Sequence, residues 1–166
     1  MDGEGLERLA LFYAGRYATT RARLKTYLTR KLRERGWAEE KAAPLDALVE
    51  RLAALGYVDD RAFAASRAAS LGRRGYGERR VREALAAAGI GEEDGAEARE
   101  QARSGAWAAA LRFAERRRIG PFAAEEGDRA AREKAMGAML RAGHSPGIAR
   151  RLVIARPGAI PEPDDP

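Results

Sequence analysis

Apolar residues recur three and four positions apart along most of the chain. Three such stripes occupy the N-terminal third of the sequence, at Leu6, Leu9, Tyr13 and Tyr17, at Leu24, Leu28 and Leu32, and at Leu45, Val49, Leu52 and Leu55. This spacing places side chains on one face of a helix. Alternating runs of β-branched residues, which would indicate strands, do not occur in the sequence. The pattern therefore predicts an all-α fold.

Residues that favour helix starts separate the apolar stripes. Thr20, Asp59 and Ser145 stand where an N-cap side chain accepts a hydrogen bond from the first helical turn. One stretch is a weaker helix candidate, because Gly91 and Gly95 interrupt an acidic segment with few large apolar residues. We therefore expect well-defined helices along most of the chain and a broken one after Gly91.

One helix-ending pattern recurs through the sequence. A large apolar residue stands four positions before Gly36, Gly89 and Gly143, and a bulky residue follows each of them. The spacing is nearly constant, at 53 (89 − 36) and 54 (143 − 89) residues. A fixed period of this length is typical of a repeat protein.

We therefore predict tandem three-helix repeats that stack into an elongated, curved, right-handed helical array. The C-terminal tail is Pro-rich and acidic, and it has too few apolar residues to form a core. We therefore expect it to be disordered. The predicted divisions are 1–56, 57–103 and 104–156 for the three repeats, and 157–166 for the tail.

The residue types that carry most enzyme chemistry are scarce. Cysteine is absent and His144 is the sole histidine. His144 follows a helix-ending glycine, a position that favours packing over general-base chemistry. Asp59 and Asp60 are better read as a helix cap than as a metal pair, because a lone pair lacks the ligands that a hard cation requires. We expect a protein that is not an enzyme and holds no metal.

The charge balance favours an anionic partner. The formal net charge is +6 and the sequence pI is about 10.0. Such a balance attracts nucleic acid or an acidic protein surface, although a genome biased towards Arg and Ala codons would produce the same excess. No segment has the pattern of a secretory signal or a membrane span, so we expect a cytoplasmic protein with no membrane contact.

Two basic patches are candidate binding surfaces. The first places an aromatic ring among arginines, which suits a partner that offers both anions and stacking surfaces. Its members are Arg67, Arg73, Arg74, Tyr76, Arg79, Arg80 and Arg82. The second patch lies on the back of the Leu24–Leu32 helix and includes Lys25, Arg30 and Lys31. The alternative for both patches is an ordinary solvated surface.

A set of motifs in the middle of the chain resembles the RecX family. The set comprises a Gly-Tyr-Val-Asp-Asp turn at Gly56–Asp60, a helix carrying Phe63, a Gly-Tyr-Gly turn at Gly75–Gly77 and a helix that ends at Gly89-Ile90. Each motif alone is weak, and their combination is specific. The resemblance is sharpest across the second predicted repeat.

The resemblance implies tandem three-helix repeats and a regulator of the RecA recombinase. Such a regulator lodges in the groove of the RecA–DNA filament and restrains recombination and ATP hydrolysis, with weak non-specific DNA contact and no cofactor. We expect it to act as a monomer. The alternative is a helical DNA-binding protein or transcriptional regulator, but the predicted helix from Glu78 to Ala88 carries no Asn, Gln, Ser or Thr to read base edges.

Overall fold

The computed structural model describes residues 1–163 and, within them, nine α-helices, a 3₁₀ turn and no strand. This confirms the all-α prediction. The helices are α1 (Gly3–Arg16), α2 (Arg21–Arg35), α3 (Leu45–Ala54), α4 (Asp60–Arg73), α5 (Glu78–Ala87), α6 (Glu92–Ser104), α7 (Ala106–Arg117), α8 (Arg129–Arg141) and α9 (Pro146–Ile154), with the 3₁₀ turn at Gly120–Phe122.

The helices form two compact units. Unit 1 comprises Met1–Ala64 and Leu85–Gly95, and unit 2 comprises Ala65–Ala84 and the chain from Ala96 onward. Helices α4, α5 and α6 each contribute residues to both units.

The core of unit 1 is built from the three N-terminal apolar stripes. Helix α2 packs against α1 and α3, and Leu24 and Leu28 are fully buried where they meet. Burying one leucine side chain contributes about 1.5–3 kcal/mol to folding. The other buried apolar members are Leu6, Ala10, Leu48, Val49, Leu52 and Val58.

The core of unit 2 lies among α7, α8, α9 and the 3₁₀ turn. Helix α9 packs against α8 and α7, and small residues on α7 let the helices approach closely. The buried apolar members are Ala110, Phe113, Ala114, Ile119, Met139, Ala142, Ala149, Leu152 and Val153. Tyr76 and Trp107 pack against this core and are only partly buried.

The helix starts expected from the sequence are formed. The Asp59 carboxylate accepts from the Ala62 N–H at 2.9 Å, and the Ser145 hydroxyl accepts from the Ile148 N–H at 3.3 Å. The Thr20 hydroxyl accepts from the Arg23 N–H at 3.2 Å and also donates to the Ala88 carbonyl at 2.5 Å. Thr20 therefore starts α2 and joins it to the end of α5 within unit 1.

The three helix-ending glycines are not all alike. Gly89 and Gly143 have positive φ, and in both cases the glycine N–H and the next N–H return to carbonyls three and five residues earlier. Gly36 also has positive φ, but its N–H returns to the Leu32 carbonyl four residues earlier and its ψ is 158°. The pattern shared by Gly89 and Gly143 recurs at Gly56, Gly75 and Arg118. The division into three repeats stays a prediction.

The helix expected to be broken after Gly91 is continuous, so that prediction was wrong. Helix α6 runs through Gly95 to Ser104. Glu92, Glu93 and Asp94 occupy its first turn, where their charges interact favourably with the positive end of the helix dipole. The acidic character that weakened the sequence pattern is therefore favourable at the place where it occurs.

The predicted disordered tail is described only up to residue 163. Within this part, the Gly158 N–H donates to the Pro121 carbonyl at 2.8 Å, and Arg151 donates to the Glu162 carbonyl. Residues 164–166 lie outside the described residues. Disorder of the segment stays a prediction.

Candidate binding surface

The turn between α4 and α5 approaches its neighbours more closely than side chains would allow. Gly75 has φ +81°, and a Cβ there would lie 2.9 Å from the Phe113 backbone nitrogen on α7. A Cβ on Gly77 would overlap the Gly143 carbonyl at the corner between α8 and α9. The two glycines of the Gly-Tyr-Gly motif therefore let this turn lie directly on the backbone of α7 and of the corner between α8 and α9.

Hydrogen bonds hold the turn in this position. The Gly77 N–H donates to the Ala142 carbonyl at 2.9 Å, and the Arg79 N–H donates to the Gly143 carbonyl at 3.2 Å. His144 Nε2 lies 2.9 Å from the Gly75 carbonyl and must be the protonated nitrogen, since a carbonyl can only accept. The turn is thus anchored at three points to one helix corner.

His144 has the packing role expected from the sequence. Its side chain is buried and its ring lies 5.5 Å from that of Phe113. Burial lowers the pKa of His144, and the hydrogen bond to Gly75 only partly opposes this effect. Its Nδ1 is buried with no hydrogen-bond partner among the described residues, so protonation would bury an unpaired donor. The neutral ring is therefore the form that fits the fold.

Two arginines lie over the partly buried ring of Tyr76, and two more hold the adjoining turn. The guanidinium carbons of Arg74 and Arg80 lie 5.0 Å and 5.5 Å from the ring centroid, within cation–π range. From α7, Arg116 donates to the Arg74 carbonyl at 2.6 Å and Arg112 donates to the Gly72 carbonyl at 3.3 Å. We call this set the Tyr76 cluster, consisting of Arg74, Tyr76, Arg80, Arg112 and Arg116.

The Tyr76 cluster contains cations without acidic partners. Within residues 1–163, no carboxylate forms an ion pair with any of its four arginines. Arg112 and Arg116 use part of their donor capacity on backbone carbonyls, which fixes the side chains but leaves the charge uncompensated. Such a surface is electrostatically suited to phosphate or carboxylate groups on a partner.

Four predicted members of the first patch stand apart from the ring. Arg79 pairs with Glu83 and donates to the Leu140 carbonyl at 2.6 Å, so its guanidinium is already engaged. Arg67 and Arg73 on α4 and Arg82 on α5 are exposed, and no hydrogen bond or ring contact joins them to Tyr76 among the described residues. The structure therefore brings Arg74, Tyr76 and Arg80 of that patch together.

The candidates of the second patch all have acidic partners. In unit 1, Lys25 lies 2.5 Å from Asp46, while Arg30 and Lys31 lie 3.8 Å and 2.6 Å from Glu34. The hydrogen bond from Lys31 is the main reason that the pKa of Glu34 is lowered. Each of the three candidates thus has a carboxylate partner within the unit, with Glu34 shared between Arg30 and Lys31, which is typical of a solvated helix surface.

Sequence reasoning missed the contribution of α7. Neither Arg112 nor Arg116 is among the candidate residues of the two predicted patches. The two residues lie one helical turn apart, on the face that carries both side chains to the α4–α5 turn. Their i, i+4 spacing was a usable signal, but pairing it with a turn about 40 residues away required the tertiary structure.

Metal and membrane sites find no support in the described part of the chain. Residues 1–163 contain no group of three or more His, Asp or Glu that could hold a metal ion. No helix among them is long and apolar enough to cross a bilayer.

Comparison with known proteins identifies the relatives of this chain. The family model for the second three-helix domain of RecX matches residues 59–98. The protein named regulatory protein RecX from Myxococcus xanthus (strain DK1622) is 33% identical over 169 residues, covering 92% of this chain and 86% of the relative. The chain belongs to the RecX family. The matched segment spans α4, α5 and the first half of α6, and so includes the Gly-Tyr-Gly turn.

Solved RecX structures share the fold. A crystal structure of RecX from Lactobacillus salivarius superposes with a TM-score of 0.64 at 17% identity, covering 90% of this chain and 93% of that one. A second crystal structure, of a regulatory protein RecX, gives a TM-score of 0.69 at 21% identity, with 90% and 72% coverage. The all-α architecture is therefore that of the RecX family.

Proposed function

We propose that this RecX-family chain binds a RecA-type recombinase filament on DNA and restrains its recombination and ATP hydrolysis. Two findings support a regulatory role, namely family membership and the name of the Myxococcus relative, regulatory protein RecX. The observation that carries the proposed contact is the Tyr76 cluster, where Arg74 and Arg80 lie over one aromatic ring and Arg112 and Arg116 hold the adjoining turn. None of these four arginines has an acidic partner among the described residues.

A RecA–DNA filament offers what the cluster can bind. It presents acidic protein side chains and DNA phosphates on one surface, and arginine forks pair with both kinds of anion. The anchored α4–α5 turn holds Tyr76 and its arginines in place before binding, so less conformational entropy is lost on association. We propose that the chain acts as a cytoplasmic monomer.

Direct DNA binding is expected to be weak and blind to sequence. The exposed side chains near the start of α5 are Arg79, Arg80, Arg82 and Glu83, which suit phosphates better than base edges. Such binding falls steeply with salt because it rests on counterion release. Sequence-specific binding to duplex DNA that survives competitor DNA would instead favour a transcriptional regulator.

The test is inhibition of single-stranded-DNA-dependent ATP hydrolysis by purified RecA, combined with co-sedimentation of the chain with RecA filaments. We expect inhibition at substoichiometric amounts of the chain. The informative variant is Arg74→Gln/Arg80→Gln, which removes both cations beside Tyr76. Loss of two charge-assisted contacts should weaken filament binding by roughly 10-fold or more.

The matched control is Arg30→Gln/Lys31→Gln. It removes the same charge from a helix face where both cations already pair with Glu34. We expect this variant to bind filaments nearly as well as wild type. Equal losses in the two double variants would show that net charge, not the Tyr76 cluster, governs binding. No effect on ATP hydrolysis at equimolar protein would contradict the proposed function itself.

A further inference from the structure

A large cavity in unit 2 lies apart from the residues that form the Tyr76 cluster. Its volume is about 830 Å³, and it is bounded by the C-terminal end of α7, the segment from Arg118 to Asp128, α8 and the end of α9. This volume lies within the range of about 300–1,000 Å³ that is common for small-molecule sites. The three consecutive arginines at the end of α7 are thereby divided, because Arg116 contacts the α4–α5 turn while Arg117 and Arg118 line the cavity.

The cavity has a cationic rim. Arg117, Arg118, Lys134 and Arg141 line it, and none of the four forms an ion pair with a carboxylate within residues 1–163. Acidic residues are also present, but two of them are occupied. Glu126 pairs with Arg132 at 2.6 Å.

The second occupied acid is Asp128, whose carboxylate caps α8 by accepting from the Ala131 N–H at 2.8 Å. Glu125 is exposed and is the one lining acid that has neither an ion pair nor a hydrogen bond among the described residues. Arg132 also lines the cavity, so the lining carries five cations against three carboxylates, a net charge of +2 (5 − 3).

One rim residue has an unfavourable backbone conformation. Arg118 has φ 55° and is the only non-glycine residue with positive φ in the described chain. Glycine would adopt this conformation at the end of α7 without strain. An arginine here carries the strain and places a cation at the cavity, and such strained residues cluster at ligand sites.

The inner wall is apolar. Ile119, Ala135, Ala138 and Val153 contribute to the lining, and Ile119 and Val153 also belong to the core of unit 2. The small side chains on α8 leave room for a flat, largely apolar group. The combination of such a wall with a cationic rim suits a ligand that joins a planar base to one or more phosphates.

We propose that this cavity binds a nucleoside phosphate, with phosphates at Arg118, Lys134 and Arg141 and the base against the wall formed by Ala135 and Val153. The ligand chemistry is shared by a free nucleotide and by the 5′-terminal nucleotide of a single strand. This inference does not rest on the proposed action on RecA, and it can be tested without a recombinase.

The test is isothermal titration calorimetry of the full chain with ATP, adenosine and inorganic tripolyphosphate. We expect ATP to bind with 1:1 stoichiometry, adenosine to show no binding, and tripolyphosphate to bind more weakly than ATP. Two further probes identify the source, namely a 5′-phosphorylated deoxyadenosine trimer and the same trimer with a 5′-hydroxyl. Binding of the phosphorylated trimer alone would assign the site to strand ends and would still support the proposal.

Two variants separate the cavity from simple charge attraction. Arg118→Gly removes a rim cation and relieves the positive φ, so it should fold at least as stably as wild type yet bind the nucleotide roughly 10-fold more weakly or worse. Ala131→Trp changes no charge and places a large ring in the cavity from an exposed position on α8, so it should abolish binding.

The matched control is Arg129→Gln. Arg129 lies on the same helix, pairs with Glu133 at 2.9 Å and does not line the cavity. It removes one positive charge and should leave affinity within about twofold of wild type, as expected for a screened surface pair. Wild-type affinity in both Arg118→Gly and Ala131→Trp would overturn the proposal. Equal binding of tripolyphosphate and ATP, or no binding of any probe, would overturn it as well.

Discussion

Substitution of Gly77 by alanine tests whether the α4–α5 turn is fixed by contact between backbones. The added Cβ would overlap the Gly143 carbonyl, and the neighbouring atoms are the Gly143 carbonyl carbon and the His144 nitrogen. No flexible side chain is available to move aside. The turn must therefore shift away from the corner between α8 and α9, or that corner must deform.

The magnitude follows from the contacts that a shift would break. The Gly77 N–H bond to Ala142 at 2.9 Å and the Arg79 N–H bond to Gly143 at 3.2 Å cross this interface. Each hydrogen bond contributes about 1 kcal/mol, and forcing an extra methyl group into a packed site costs about 1–3 kcal/mol. The chain can relax by weakening the two hydrogen bonds or by keeping part of the methyl overlap, so the two costs do not add in full. We therefore expect the free energy of unfolding to fall by about 2–4 kcal/mol.

The assay is urea unfolding followed by circular dichroism, with Gly72→Ala as the control. Gly72 lies in α4, five residues from Gly77, and a Cβ there would meet open space. Alanine at that helical position should stabilise the protein by about 0.5–1 kcal/mol. The reasoning is refuted if Gly77→Ala is no less stable than Gly72→Ala.

Three further predictions concern buried polar groups. The pKa of His144 is lowered in the fold, so the stability that its neutral ring contributes is present above the unfolded pKa of 6.5 and is lost as the pH falls below that value. The urea midpoint of the wild type should therefore drop between pH 7.5 and pH 5.5. The drop should be smaller in His144→Gln. Burial raises the pKa of Asp60, so its ionised form opposes folding at pH 7. Asp60→Asn, which keeps an acceptor for the Arg21 N–H, should be at least as stable as wild type in urea at that pH, and Asp60→Ala less stable by about 1–2 kcal/mol. Thr20→Val removes one helix cap and one buried hydrogen bond, so it should lower the free energy of unfolding by about 2–3 kcal/mol and reduce the thermal midpoint. Thr26→Val, on the exposed face of α2, should cost under about 1 kcal/mol.

The parts of the structure that sequence reasoning predicted well depend on neighbouring residues. The caps at Asp59 and Ser145 bond to amides three positions further on, so the local sequence suffices to identify them. Helix α6 was judged by its glycines and acids, and was misjudged because the favourable placement of those acids in its first turn depends on where the helix begins.

The candidate site was predictable only in part for the same reason. Tyr76 and its sequence neighbours Arg74 and Arg80 could be found from the motif that contains them. The contribution of Arg112 and Arg116 depends on where α7 lies, and the neutralisation of Lys31 by Glu34 depends on rotamers. A basic run in a sequence therefore shows that cationic side chains are present. The structure shows which of them have no carboxylate partner within the chain and so can bind another molecule.

The α4–α5 turn has a consequence for protein engineering. Its shape does not reside in the residues from Arg73 to Gly77 alone, because the surfaces that receive it belong to α7 and to the Gly143-His144 corner. Moving the short loop into another scaffold would carry the tyrosine and its arginines but not their arrangement. A transplant would have to include all three pieces, so the smallest portable form of this surface is most of unit 2.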